Sequence, residues 1–406
     1  MKQMTYEQYF DKVLGCWIGK TLGGCGGVAY EGVKRKIENI DFKQIINTNL
    51  PNDDFDLQVM WLQGLEQNGP YLSSNQMAAL WGQACKYPWS EYGYFMKNYK
   101  RGIRAPYSGW FNNEFFKNGM GCPIRSEIWA VSFPGMVDLA AKMALQDAIL
   151  DHAEDAMWGE CFLARLESML FLTDDVHTAL EDCIESIDHN AKLYHCLSAV
   201  LKNHKSGMSF DDNLNFIYIN YSHNDFTNCT QNIAIAILGV LHGGLDMEKT
   251  INITLIGGYD TDCTCATAGA LVGIAIGAKA IPQELKALID DSYVSAVDIK
   301  RRDNHITTFA EDSARVGVSM TKYLGSKELD ITDIPASCEL LCWNKPAETV
   351  ELKVEYQALP AIGGNDTCPI SVKISNGSGE AISGRLELHG LKEGWSAEYD
   401  DRLYTA

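Results

Sequence analysis

GGYDTDCTCATAGALVGIAIGA, Gly257 to Ala278, sets two aspartates, Asp260 and Asp262, behind a glycine pair and ahead of a run of small and aliphatic residues. The run reads as a helix over 264–280. It is apolar on every side, which predicts a helix buried all round. Its Thr, Ala and Gly carry little side chain, so neighbouring backbones can approach closely and the helix is expected to be central. Carboxylates at the mouth of such a helix lose water and need a partner. Lys and Arg are absent from Asn252 to Ala278. A metal ion is the natural partner, and a set of oxygen donors without His selects Mg²⁺, Mn²⁺ or Ca²⁺ over zinc.

The rest of the chain supports a helical surrounding. It has 406 residues, 46% of them hydrophobic, enough for a large core. Tyr9, Val13, Trp17 and Lys20 recur at helical spacing. Similar periodicity runs over 56–67, 137–150, 156–171, 178–187, 190–201 and 230–241. Strand alternation and fixed-period repeats are absent up to about residue 325. The expected fold is mainly all-α, with ten or more helices over residues 1–345. Beyond Pro346 the texture changes. In ETVELKVEYQAL, Val350, Leu352, Val354 and Tyr356 alternate with Glu351, Lys353 and Glu355. CPISVKISNGSG and ISGRLELHGL alternate too, with Gly-Asn-Ser turns between. Residues 346–406 are therefore expected to form a small antiparallel β module, shorter than the roughly 100 residues of a seven-stranded sandwich.

Net charge is −19, and the sequence pI is near 4.9. That excludes a basic nucleic-acid or anionic-membrane surface. MKQMTYEQYF has no apolar signal-peptide core. The thirteen cysteines are scattered, so a reduced, cytoplasmic protein is expected. Cys338 and Cys342 have no second Cys or His pair to complete a zinc site.

Two further stretches begin like the first. In PNDDFDLQVMWLQGLE, Asn52 is a good helix cap, and Asp53 and Asp54 fall in the first turn. Capping alone accounts for that pattern, yet three carboxylates within four residues repel one another unless a cation intervenes. Thr173-Asp174-Asp175 looks similar. An ordinary amphipathic helix follows it, carrying Glu181, Asp182 and Glu185, so it reads as a surface cap.

Together these residues resemble the ADP-ribosylglycohydrolase family over roughly residues 8–325. GCWIGKTLGGCGGVAYEG is similar to the family's glycine-rich first segment, which ends in a catalytic-loop glutamate, here Glu31. Asn52-Asp53-Asp54 matches its Thr-Asp-Asp motif with Asn for Thr. GGYDTDC matches Gly-Gly-Asp-Thr-Asp-Thr, with Tyr259 inserted and Cys263 in the last Thr position. GMGCPIR, from Gly119 to Arg125, is similar to a ribose- and phosphate-contacting loop, with Met120 where the family has Asn. His152 is similar to a histidine near that pocket.

The resemblance implies an all-α fold with two Mg²⁺ ions, or Mn²⁺, in a central cleft. The ions would hold ribose hydroxyls and a water beside the anomeric carbon. It places Asn52, Asp53, Asp54, Asp260, Asp262 and Cys263 at the metals. It makes Glu31, Asp54 and Asp260 catalytic, and sets Gly121, Arg125 and His152 at the substrate. Asn232, at a helix start ahead of the second acidic motif, is a further candidate for contact with substrate hydroxyls or metal-bound water. The implied activity is magnesium-dependent hydrolysis of an N- or O-glycosidic bond at a ribosyl C1, on small-molecule or ADP-ribosylated substrates. A different furanoside or nucleoside-like sugar is the alternative, and a non-catalytic metal- or ligand-binding relative is a third reading. Taken alone, Glu31 also reads as a solvated turn residue, Arg125 as a structural ion pair, His152 as a structural histidine, and Asn228 as the cap of a helix containing Thr230. The oligomeric state is open.

Overall fold

The structure is a computed structural model that describes every residue except 39, 348, 358–362, 365, 380, 387, 399–402 and 406. After β1 (Lys2–Thr5), helices and the loops between them run to Leu324. The helices of its first half are α1 (Tyr6–Gly27), α2 (Asp53–Asn68), α3 (Ser74–Ala84), α4 (Ser90–Lys100), α5 (Tyr107–Trp110), α6 (Ser126–Ser132), α7 (Val137–Ala148) and α8 (Glu154–Met169). There follow α9 (Val176–Ile184), α10 (Lys192–Lys205), α11 (Phe210–Tyr221), α12 (Cys229–Gly243), α13 (Met247–Ile256), α14 (Thr261–Ile276), α15 (Gln283–Lys286) and α16 (Ile306–Leu324). The strands β2 (Leu329–Thr332), β3 (Val350–Tyr356), β4 (Ile370–Asn376), β5 (Ser383–Arg385) and β6 (Leu403–Thr405) complete the order. The fold is mainly all-α with small sheets, as the periodicity predicts.

Helix α14 is the axis of the molecule: fourteen of its sixteen residues are buried. It packs chiefly on α1, and also on α12 and α13. The α1–α14 contact runs antiparallel, backbone against backbone. Gly15, Gly19, Gly23 and Gly27 form a stripe at every fourth residue of α1. A Cβ at Gly19 would stand 2.0 Å from the Gly269 carbonyl oxygen, and one at Gly23 would stand 2.0 Å from that of Cys265. A Cβ at Gly27 would stand 2.1 Å from the carbonyl oxygen of Thr261. A backbone carbonyl cannot swing aside like a side chain, so glycine is required along the stripe. Thr261 Oγ1 donates to the Gly27 carbonyl at 2.7 Å, which pins the start of α14 to the end of α1.

Two differences from the sequence reading stand out. β1 and β2 pair in parallel, Met4 opposite Ile331, joining the start of the helical region to the segment after its last helix. Four-residue strands are too short to show a period, and their partners lie more than 300 residues apart. In the C-terminal region, β3 and β4 form the expected antiparallel pair, Val350 opposite Asn376 through Tyr356 opposite Ile370. Its apolar face is not covered: Leu352 keeps 57% exposure. Among the described residues of ISGRLELHGL, Ser383–Arg385 is strand, paired with β6. Glu348, Ala358, Leu359 and Glu387 of the alternating stretches lie outside the described residues. Among the described residues no helix is long and apolar enough to cross a membrane.

Candidate active site

The site is built where two helices begin and a third ends. At the start of α2, Asn52 is the cap, and its Oδ1 accepts from the Asp54 amide at 2.7 Å. Asp53 turns toward the cavity described below, where its Oδ2 accepts from the Tyr92 hydroxyl at 3.1 Å. Asp54 is buried, with the Lys20 ammonium 3.6 Å from its Oδ1. Asp56 points elsewhere, accepting from the Tyr87 hydroxyl and, at 2.8 Å, from the Ala296 amide. Two of the three clustered carboxylates therefore reach the site. The third avoids their repulsion by leaving it.

At the start of α14, Asp260 occupies the cap position, yet its side chain makes no capping hydrogen bond. The Asp260 amide instead donates to Asn232 Oδ1 at 3.2 Å. Asn232 is held in turn by its own amide, which donates to the carbonyls of Phe226 (2.7 Å) and Asn228 (2.9 Å). Asn232 thus orients the aspartate turn. Asn228 caps α12 by accepting from the Thr230 amide. Tyr259 sits at φ 64°, uncommon for a side chain of that size. It bridges the loop after α1: the Tyr259 amide donates to Val33 at 2.9 Å, and the Gly32 amide donates to Tyr259 at 2.7 Å. The residue inserted between Gly258 and Asp260 therefore fastens the loop that carries Glu31.

These placements create two clusters. Single carboxylate oxygens of Glu31, Asp260 and Asp262 lie within 4.8 Å of one another. One carboxylate oxygen from each of Asp54 and Asp262, together with Cys263 Sγ, lies within the same limit. Both oxygens of Asp54, Oδ2 of Asp260 and Oδ1 of Asp262 are buried without a hydrogen-bond partner. Charge in such a place is costly, so every carboxyl shifts upward. Burial and then Asp262 raise Glu31 to about 7. Burial raises Asp53 to about 6, against the Tyr92 hydrogen bond and with help from Glu31 and Glu91. Burial raises Asp54 despite Lys20, and burial followed by Asp262 raises Asp260. Asp262 rises through burial and then Asp53, and burial also holds Cys263 as a thiol.

The clusters open into a cavity of about 290 Å³. Glu31, Asp53, Glu91, Asp260 and Asp262 supply its acids. Trp89, Tyr92, Met120, Ile124 and Phe226 supply apolar and aromatic wall. Asn52 and Asp54 also border a separate recess of about 20 Å³, room for a water at most.

A family model described as ADP-ribosylglycohydrolase matches residues 5–318. The chain belongs to the ADP-ribosylglycohydrolase family. One solved structure, an ADP-ribosylglycohydrolase-related protein complex, is 18% identical, with a TM-score of 0.50. The match covers 70% of this chain and 97% of that one, and at this identity it speaks for the fold alone. No curated protein sequence matches the chain.

The family is one of hydrolases, and the acidic clusters are of a kind that holds divalent metal. Asp54, Asp260 and Asp262 fit an oxygen-seeking cation, since each keeps a buried oxygen without a hydrogen-bond partner, and Asp53 faces the same cavity as the last two. Lys20 brings an ammonium to Asp54, and it is shared: Glu127 accepts from it at 2.8 Å. Asn52 fits less well than the motif implies, because its side-chain oxygen is committed to the cap. Cys263 brings sulfur where the motif has a hydroxyl.

The residues assigned to substrate divide. Gly121 lines the cavity, where a Cβ would stand 2.2 Å from Glu91 Oε1. Arg125 does not reach the cavity. It is fully buried, paired with Asp147 and Asp151 at 2.8 and 2.9 Å, and it donates to the Gly121 carbonyl at 2.7 Å. Its role is to hold the loop, because its donors are taken up by the protein. His152 is also fully buried, its Nδ1 2.8 Å from Asp151 and its Nε2 3.5 Å from Glu91. Burial alone would lower its pKa, but Asp151 and Glu91 raise it to about 9, so it stays charged behind Glu91.

Glu91, Tyr92 and Lys20 escaped the sequence reading. Glu91 and Tyr92 sit in the first turn of α4, in a stretch with no motif. Lys20 had a visible signal, a cation on the same stripe as Tyr9, Val13 and Trp17.

Proposed function

We propose that the chain is a divalent-cation-dependent hydrolase that cleaves an N- or O-glycosidic bond at a ribosyl C1, with ADP-ribosylated molecules as its substrates. The observation that carries this reading is the meeting of Glu31, Asp53, Asp260 and Asp262 at one cavity, with one buried oxygen each of Asp260 and Asp262 left without a hydrogen-bond partner. Asp53, Asp54, Asp260 and Asp262 would hold Mg²⁺ or Mn²⁺, two ions being the expected number. Such ions, when bound, orient sugar hydroxyls and stabilise developing charge.

The chain's own groups supply the rest. Glu31 borders both the cavity and the Asp260–Asp262 pair, and with a pKa near 7 it can take or give a proton at neutral pH. As base it would remove the proton of a water attacking C1. The surrounding carboxylates favour the positive charge that builds on the sugar in an oxocarbenium-like transition state. Asn232 and the Tyr259 bridge keep Asp260 and Glu31 in register. Trp89, Met120 and Phe226 limit water on the remaining wall.

The volume of the cavity sits at the lower end of ligand pockets, which run from about 300 Å³. A ribosyl ring fits inside, and the remainder of an ADP-ribosyl group would lie along the rim. Met120, apolar where the family loop has an amide, favours a second reading, in which a different furanoside or nucleoside-like sugar is the substrate.

The test is incubation with Mg²⁺ and a panel of ADP-ribosylated peptides, O-acetyl-ADP-ribose and ribofuranosides, beside an Asp260→Ala control. Release of ADP-ribose by the wild type alone is expected. Release of another sugar selects the second reading. No turnover, together with no magnesium binding by calorimetry, defeats both.

A further inference from the structure

The two clusters at the head of α14 offer different chemistry. Glu31, Asp260 and Asp262 present oxygen only, whereas Asp54, Asp262 and Cys263 present two oxygens and a sulfur. The second set is deeply set, with Asp54 1% exposed and Asp262 and Cys263 each 7% exposed, the last two at the wall of the cavity. Both Asp54 oxygens and one Asp262 oxygen are buried without a hydrogen-bond partner, with the Lys20 ammonium 3.6 Å from Asp54 Oδ1. No hydrogen bond engages Cys263 Sγ among the described residues, whereas the Cys265 thiol two residues on donates to the Ile251 carbonyl at 3.7 Å.

Magnesium coordinates oxygen almost exclusively and holds its water shell tightly. Thiolate sulfur favours borderline and soft ions, among which zinc binds both Cys sulfur and carboxylate oxygen and accepts three protein ligands with one position open. The mixed set is therefore mismatched to Mg²⁺ and matched to a thiophilic ion.

We propose that Asp54, Asp262 and Cys263 form a mixed oxygen–sulfur site for a thiophilic divalent ion of the Zn²⁺, Co²⁺ or Fe²⁺ class. The neighbouring Glu31–Asp260–Asp262 set takes the oxygen-seeking ion. Asp262 belongs to both sets and would be shared between the two positions. On binding, the Cys263 thiol gives its proton to solvent and its sulfur forms the bond to the metal. The inference deepens the metal-dependent reading above by assigning unlike ions to its two positions.

The test uses the full chain, stripped with chelator and kept reduced, and it reads metal binding directly. Cobalt(II) is titrated in while sulfur-to-cobalt charge-transfer absorption is followed. Zinc K-edge X-ray absorption on the zinc-loaded protein looks for a sulfur scatterer at about 2.3 Å. The wild type is expected to show both signals. Cys263→Thr, which restores a hydroxyl, is expected to lose both and to bind Zn²⁺ at least about 10-fold more weakly, as changes near a metal site do. Its Mn²⁺ binding by calorimetry is expected to persist, which also shows that the variant is folded; Cys263→Ser serves if it is not.

Cobalt bound without sulfur absorption, equal zinc affinity in wild type and variant, or no binding of either ion overturns the proposal. Sulfur signals in a protein that hydrolyses no glycoside uphold the site and reject the hydrolase. Glycoside turnover with Mg²⁺ and no sulfur signal does the reverse.

Discussion

Two helices of this protein begin with the same letters and end in opposite chemistry. At the start of α9, Asp175 accepts from the amides of His177 and Thr178, both at 3.1 Å, and from the Thr178 hydroxyl at 2.6 Å. Asp174 is 77% exposed and paired with Lys12. At the start of α14, Asp260 is 2% exposed and caps nothing. The hydrogen bond to Thr178 leads in lowering the Asp175 pKa, whereas burial drives that of Asp260 up. An acidic helix start becomes a site when its oxygens are withheld both from its own helix and from water. Composition does not separate the two cases.

The sharpest way to break this contrast is to neutralise each side. Asp260→Asn is expected to lower glycoside hydrolysis by at least about 100-fold, since even outer partners of metal ligands cost 10- to 100-fold. It is also expected to raise the melting temperature of the cation-free protein, because a buried uncompensated carboxylate is removed. Asp175→Ala is expected to leave turnover and cation binding unchanged and to lower the melting temperature slightly. Steady-state assays with thermal melts, with and without chelator, check all three. Equal losses of activity in the two variants would erase the distinction.

The α1–α14 contact provides the next test. Gly23→Ala puts a methyl against a backbone carbonyl that cannot yield, and overpacking of this kind costs about 1–3 kcal/mol or more. Because Thr261 ties the head of α14 to Gly27, cation affinity is expected to fall along with stability. Urea melts and Mn²⁺ calorimetry measure the two effects. Stability lost without loss of affinity would show that the site does not depend on the close approach.

Acidity sharpens the comparison further. Glu31 and Asp53 have folded pKa values of about 7 and 6, above their ordinary 4.5 and 3.8. Between those limits the folded chain holds protons that the unfolded chain has released, so stability must fall as pH rises from about 4 to about 7. Asp54, Asp260 and Asp262 act in the same direction. Divalent cation is expected to raise the melting temperature more at pH 8 than at pH 5. An equal rise at both values would mean that the cation binds away from these carboxylates. The smallest effect is expected from Asn52→Ala. Loss of the cap costs about 1 kcal/mol, with cation affinity nearly unchanged because the Asn52 oxygen serves the Asp54 amide.

Much of this was legible in the chain. The unbroken apolar character of α14 required burial, and its small residues required close neighbours; both follow from side-chain size alone. Asp53, Asp54, Asp260 and Asp262 were readable as a set because they flank helix starts and lack local cations. Four things were not. Lys20 is brought to Asp54 only by the packing of α1 against α2. Glu91 enters through α4, which carries no motif. Arg125 is drawn out of the substrate role by Asp147 and Asp151, residues whose proximity no spacing announces. Asp56 leaves the site because Tyr87 and the Ala296 amide satisfy it. The sequence by itself determined the helical class, strongly periodic helices such as α1, α2, α7, α8, α12 and α14, and the carboxylates that begin α2 and α14, since periodicity and capping are local. Only the tertiary structure decided which of those carboxylates are left without water, hydrogen bond or counter-charge, because desolvation and pairing are set by groups that arrive from elsewhere in the chain.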